Sequence, residues 1–394
     1  MLLSIALVFL CGMTLGKIFE KLKLPSLLGM IATGIILGPY VLDLLDNSIL
    51  EISKDLRQIA LIIILTRAGL NLDIKDLKKV GRSAVLMCFI PASFEILGMI
   101  IFAPLFLGIT RLEAAIIGTI IAAVSPAVIV PRMLKLMENG YGVKNSIPQM
   151  IMAGASIDDV FVIVLFTAFT KLAQGGEIKL NNFFVIPVSI FLGFLGGVLM
   201  GWGLSILFSK FHIRDSGKVI IILSISFLLV TLEHHLDGII GFSGLLAVMA
   251  MGATIQQKKY ELSKRLSGKF SKLWVGAEVL LFVLVGAIVD INYALKAGLF
   301  SIVLIFCVLV FRMIGVLLCL VKTKLNKKER LFSAIAYMPK ATVQAAIGGI
   351  PLAMGLACGD IALTVAVLAI LITAPLGAVL IDVTYNKLLE KNIN

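Results

Sequence analysis

Charge is scarce in this chain: only 15% of its 394 residues are Asp, Glu, Lys or Arg, against 60% hydrophobic, and the mean hydropathy is +1.08. A soluble globular domain of this length does not have that balance, and no polar block is large enough to form a separate soluble domain. Cysteine is sparse as well. Cys11, Cys88, Cys307, Cys319 and Cys358 all sit in apolar surroundings, with neither a CxxC nor a Cys/His spacing suited to a metal. Five reduced, space-filling thiols are expected, and no cofactor. Histidine is confined to His212, His234 and His235, which fall in expected loops, so an intramembrane site contains no imidazole. No basic segment precedes the first apolar run; Lys17, Lys21 and Lys23 follow it. That run is expected to be a retained helix, inserted with its N-terminus outside.

What the chain does have is apolar runs long enough to span a ~30 Å hydrocarbon core, recurring from end to end. They fall at 2–19, 26–45, 56–72, 82–108, 112–137, 147–172, 184–210, 217–233, 238–256, 271–291, 294–322, 330–354 and 360–386. The expected fold is therefore all-α and polytopic, with about thirteen transmembrane helices in one integral membrane domain over 1–394. With the N-terminus outside, most of the 35 Lys and Arg gather in the inside loops, at 17–23, 75–82, 132–144, 210–218, 258–272, 322–330 and 387–391. The outside loops hold only Lys54, Arg57, Arg111, Lys171, Lys179 and Lys296. This is the positive-inside pattern, and it places the C-terminus in the cytoplasm. The net charge of +12 thus marks topology and calls for no nucleic-acid partner.

Proline and glycine single out the fifth and twelfth spans. One contains Ser125-PAVIV-Pro131 and the other Met338-PKATVQAAIGGIP-Leu352, so each carries two prolines within a bilayer-spanning stretch. Seven helices apart, they cross the membrane in opposite directions. Opposed broken helices at matching places imply an inverted repeat, approximately 26–172 against 238–386, with an ion site where the breaks meet.

Six ionisable residues lie well inside spans: Glu95, Asp158, Asp159, Glu278, Arg312 and Lys340. A carboxylate at mid-bilayer costs roughly 2.5–3.5 kcal/mol on insertion scales, so each is a functional candidate. Glu95 and Arg312 both fall on the third helix of their repeat and are expected to pair, since Arg cannot shed its proton and needs a carboxylate in lipid. Lys340, following Pro339 at a break, can neutralise the negative end of a half-helix. Four acids against two bases leave carboxylates without a fixed counter-ion, which must then bind protons or cations. Adjacent helical residues point roughly 100° apart, so Asp158 and Asp159 cannot share one pocket equally. One is expected to face the broken helices and the other a structural partner. A hard monovalent cation would take a carboxylate together with backbone carbonyls freed at 125–131.

These segments resemble the monovalent cation/proton antiporters, and within them the branch that includes the animal NHA-type sodium/proton exchangers. The resemblance covers most of the chain. Leu24-PSLLGMIATGIILG-Pro39 is similar to an early-helix signature and Thr66-RAGLNL-Asp73 to a segment typical of the branch. Val124-SPAVIV-Pro131, Ser156-IDD-Val160 and Pro339-KATVQAAIG-Gly349 are similar to its unwound helix, ion-binding helix and second unwound helix. The resemblance implies antiport of Na⁺ or Li⁺ against H⁺ on an NhaA-like fold, in a multi-pass cell-membrane homodimer. Mobile core helices, at about 82–172 and 294–386, would slide against a dimerisation domain. It also implies Asp159 as the ion- and proton-binding carboxylate with Asp158 beside it, and Ser125, Pro126, Ala127, Val128 and Ser156 as unwound-helix and cation ligands. Arg312 stands where two-aspartate members related to NhaA carry a lysine, a departure shared with the NHA-like branch.

The mechanism so implied is a carboxylate site of alternating exposure that crosses only when neutralised by H⁺ or by the cation. With Asp158 held ionised against a basic partner, one H⁺ exchanges for one Na⁺ and transport is electroneutral. The same architecture could serve a sodium-coupled symporter of an organic anion, but no polar pocket for a large solute is evident. An intramembrane aspartyl protease would carry its two acids on separate helices, usually with a GxGD motif, and that motif is missing.

Overall fold

Backbone N–H and C=O groups find no water in hydrocarbon, so an apolar chain must satisfy them within each segment, as a helix does. The computed structural model describes residues 1–22, 24–72, 81–174, 180–236, 241–289 and 291–391, without the side chains of 156, 157, 160, 180–187, 190, 234 and 291–297. Among the described residues the chain is helical, and the only strand-like pairing is a bridge between Tyr141 and Lys391. The first helices are α1 (Leu2–Lys21), α2 (Ser26–Leu37), α3 (Asn47–Glu51), α4 (Ser53–Asn71), α5 (Arg82–Met87) and α6 (Ile90–Leu107). Then come α7 (Arg111–Ala122), α8 (Pro126–Glu138), α9 (Ile147–Gln174), α10 (Leu180–Lys210), α11 (Asp215–Leu236) and α12 (Gly244–Lys258). The last are α13 (Tyr260–Ala287), α14 (Ile291–Cys319), α15 (Lys327–Ala336), α16 (Thr342–Ile347), α17 (Ile350–Ala353) and α18 (Gly359–Leu388). Eight spans among the described residues are long and apolar enough to cross a bilayer.

Several expected spans are broken by identifiable residues. The second stops at Leu37, because Gly38 and Pro39 cannot continue it, and turns follow to Leu45. The fourth is interrupted between α5 and α6, just before Pro91. The fifth divides into α7 and α8, and the twelfth into α15, α16 and α17. Capping boxes start two of these pieces, Thr110 with Glu113 at α7 and Asn326 with Glu329 at α15. His235 lies in the last turn of α11, not in a loop, and its exposed ring donates from Nδ1 to the Thr231 carbonyl at 3.0 Å. His234 shares that turn, and its side chain lies outside the described residues.

The chain divides into two compact units: Met1–Lys54, Asp76–Val162 and Val279–Asn394 form the first, and Asp55–Lys75 with Ile163–Glu278 the second. In the first, α6 packs between α7 and α14, and the C-terminal end of α13 lies against α2. A Cβ on Gly34 would strike the Val283 carbonyl and one on Gly286 the Ile31 carbonyl, so small residues let these backbones touch. The tail beyond α18 is tied to the α8–α9 connection, where Gly142 N–H donates to Glu390 O at 2.9 Å and Tyr141 stacks edge-on against Tyr385.

In the second unit α10 and α12 make the most extensive contact. Gly193, Gly197 and Gly201 recur every fourth residue along α10 and face the carbonyls of Ser243, the N-cap of α12, and of Ala247 and Met251 within it. The start of α13 closes the end of α4: Ser263 Oγ donates to Leu70 O at 2.6 Å and Ser267 Oγ to Asn71 Oδ1 at 2.7 Å. Gly197→Val forces a branched side chain into the Ala247 backbone. It is expected to lower the thermal midpoint of the purified protein in detergent far more than Gly203→Val, where an added Cβ meets nothing within 4 Å. Equal midpoints for the two variants would contradict this packing.

Candidate functional site

Within the first unit, both long breaks are made by proline. Pro126 is the first residue of α8, where its missing N–H costs that helix nothing. The Ala122 carbonyl, four residues earlier, consequently has no helical donor. The break is therefore Ala123–Ser125, one step upstream of the 125–131 stretch expected from sequence. Pro126, Ala127 and Val128 are not unwound: they form the first turn of α8, and Ser125 is its N-cap, its carbonyl accepting from Val128 and Ile129 at 3.2 Å each. The second break runs from Tyr337 to Ala341, between α15 and α16. The two breaks meet: Ser125 N–H donates to Pro339 O at 2.8 Å.

Arg312 of α14, 1% exposed, reaches this crossing. Its Nη1 donates to Glu95 Oε2 on α6 at 2.7 Å and also to the Ala122 carbonyl that Pro126 left free. Nη2 donates to Asp158 Oδ2 at 2.9 Å and Nε to Tyr337 O at 2.6 Å. The guanidinium also lies 5.2 Å from the centre of the Tyr337 ring. Lys340 Nζ donates to the same Glu95 Oε2 at 2.5 Å, and its backbone N–H to Thr373 Oγ1 on α18 at 2.9 Å. Asp158 Oδ2 accepts in addition from Val124 N–H at 2.9 Å. Asp158 thus faces both the broken helix and the structural arginine, two contacts that the sequence reading divided between the two aspartates.

Glu95, Asp158, Arg312 and Lys340 form a buried group of two acids and two bases, formally neutral. Asp159, 8% exposed, has no cation at ion-pair distance among the described residues. Several buried oxygens have no hydrogen-bond partner among the described residues: Asp158 Oδ1, Ser125 Oγ, Glu95 Oε1 and Gln344 Oε1 around the crossing, and Asp159 Oδ1 on the residue after Asp158. The Ser156 side chain lies outside the described residues. Glu278 is in the second unit, where its charge acts on Arg67.

Sequence reasoning missed three contributors. Gln344 donates from Nε2 to Ala123 O at 2.8 Å and Ile121 O at 3.3 Å. Thr373 holds the backbone of Lys340, and the Tyr337 hydroxyl donates to Met87 O at 3.2 Å, the carbonyl that Pro91 leaves without a helical donor. The available signal was the prolines themselves, since each frees the carbonyl four residues before it and so calls for a polar donor elsewhere.

Two interrupted helices that meet at their breaks, with buried acids and bases gathered around the contact, are the architecture of a multi-pass membrane transporter. The chain belongs to the sodium/hydrogen exchanger family: the family model described as "Sodium/hydrogen exchanger, transmembrane" matches residues 5–386. It is 33% identical to sodium/hydrogen exchanger 9B2 of Mus musculus over 99% of this chain and 74% of the relative. It is 30% identical to human sodium/hydrogen exchanger 9B1 over 99% of this chain and 79% of that protein. The fold matches that of the sodium proton antiporter MjNhaP1 from Methanocaldococcus jannaschii at pH 8, with a TM-score of 0.86 and 22% identity over 98% of this chain and 97% of that one.

Arg312→Met leaves Glu95 and Asp158 with one buried base between them and strands two carbonyls. It is expected to destabilise the protein by about 3–5 kcal/mol. Arg312→Lys, keeping the charge without the planar fork, is expected to fall between parent and Met variant in a detergent melting assay. A parent-like melting temperature for the Met variant would contradict the assigned network.

Proposed function

We propose that this chain is a secondary antiporter exchanging Na⁺ or Li⁺ for H⁺ through Asp159, with no ATP. The observation that carries the reading is the charge balance: Glu95 and Asp158 are matched by Arg312 and Lys340, and Asp159 has no base at ion-pair distance among the described residues. The chemistry of the donor set fits such a cargo. A hard monovalent cation takes oxygen ligands, and Asp159 Oδ1, Asp158 Oδ1 and Ser125 Oγ are buried oxygens with no hydrogen-bond partner among the described residues.

An ionised Asp159 carries a desolvation penalty that resists movement through the low-dielectric interior. A proton or a cation removes that charge, so either loaded form crosses and the empty form does not. Competition of the two for one carboxyl produces coupled exchange. Asp158, held against Arg312 at 2.9 Å, has its ionised form favoured by that permanent charge, and in this reading it does not cycle. One H⁺ then exchanges for one cation, and transport is electroneutral.

The same reading takes the protein as a homodimer in the cell membrane, N-terminus outside and C-terminus cytoplasmic. Its thirteen crossings would include mobile core helices over about 82–172 and 294–386. The family and the relatives speak for exchange, and none speaks for organic-anion symport.

In everted vesicles, addition of NaCl or LiCl is expected to dissipate a preformed pH gradient with the parent and not with Asp159→Asn. Undiminished exchange by that variant would remove Asp159 from its role. In proteoliposomes the rate is expected to be insensitive to an imposed membrane potential. A strong response would show that a second group also cycles.

A further inference from the structure

Gln344 stands on α16, the short helix after the second break, and is 1% exposed. Its Nε2 reaches across the crossing to the C-terminal end of α7, bonding Ala123 O and Ile121 O at 2.8 and 3.3 Å. These carbonyls flank that of Ala122, which Arg312 holds. The next residue, Val124, bonds Asp158 through its N–H, and the one after, Ser125, bonds Pro339. Five consecutive residues, the last two of α7 and the three of the break, are thereby fixed by partners outside α7 and α8. Gln344 supplies two of those fixings, from a neutral group. The orientation of the amide follows from its partners. Turning it over would set Oε1 against two carbonyl oxygens, so both N–H groups face α7 and Oε1 faces away, buried and without a partner.

We propose that Gln344 is a positioning residue of the first break, and that it sets the affinity and the choice of transported cation by holding 121–123 in register with Asp158 and Asp159. The inference rests on the antiport reading above. An arginine or lysine at this place would add a charge to a group already balanced. An apolar residue would leave two more carbonyls at the end of α7 unsatisfied beside the site. A neutral double donor avoids both. The carbonyls and N–H groups of the break bear partial charges next to the ion, so a small rotation of that segment alters the field a small cation meets more than the field a larger one meets.

The test compares Gln344→Met, close in volume and without a donor, and Gln344→Asn, which keeps the amide on a shorter stem, with the parent in proteoliposomes. Rates are read against Na⁺ and Li⁺ concentration. For the Met variant the KM for Na⁺ is expected to rise about tenfold, the scale of losing a pair of buried hydrogen bonds. The ratio of the Na⁺ and Li⁺ KM values is expected to change, the maximal rate per folded protein to change little, and the Asn variant to restore part of the affinity. A loss of folded protein or of maximal rate with both KM values unchanged would overturn the proposal, since a purely structural side chain would act that way. If the Met variant does not accumulate, the Asn variant decides by the same readout, a parent-like KM for both ions overturning the proposal. A parent that exchanges neither Na⁺ nor Li⁺ for H⁺ would instead refute the antiport reading, so the two failures are distinguishable.

Discussion

The structure is organised around one permanent buried charge. Arg312 cannot be neutralised by losing a proton, and removing its guanidinium from water is tolerable only where acceptors surround it. Four hydrogen bonds do so, from α6, the end of α7, α9 and the residue following α15. The segments that carry the site are therefore mutually located through one side chain. Lysine would offer a compact point charge on a flexible stem, whereas the planar fork holds two carboxylates and two carbonyls in fixed directions.

The acceptors that make this possible come from proline. In an uninterrupted helix the Ala122 carbonyl would bond to residue 126, and the Met87 carbonyl to residue 91. Both of those positions are proline, and the carbonyls are instead occupied by Arg312 and by the Tyr337 hydroxyl. Backbone disruption and buried polar side chains are thus two halves of one arrangement: each break creates acceptors, and each polar residue consumes them. In hydrocarbon neither half is stable without the other.

This coupling also explains what was legible in the sequence. The helices were, because long apolar runs in lipid have few structural options, and the paired proline motifs marked where two of them would open. That Glu95 and Arg312 pair followed from their matching places in the repeat together with the arginine's need for a carboxylate. The exact residues of the first break were not legible. Proline at 126 can end one helix or begin the next, and the choice depends on tertiary partners at residues 122 and 124. Nor was the division of labour between the aspartates. Helical geometry separates Asp158 from Asp159 by direction, but which direction meets arginine is set by the placement of α14. Gln344 was hidden for a related reason: one amide in an apolar stretch acquires meaning only when the carbonyls opposite it are known.

The neutral group gives Asp159 its distinct place. Two acids and two bases linked by contacts of 2.5–2.9 Å are formally balanced, so in the proposed reading the charge of the site changes through Asp159. Were the group to carry a net positive charge, an ionised Asp159 would already be compensated and would gain little by taking a proton or a cation. Were it net negative, the carboxyl would hold its proton or cation too firmly to exchange one for the other. Balance leaves the ionised state costly, because it is buried, yet still accessible, because nothing adjacent forbids it. A carrier needs that intermediate condition. In the proposed reading it is produced by pairing the other charges described at the crossing and leaving Asp159 unmatched.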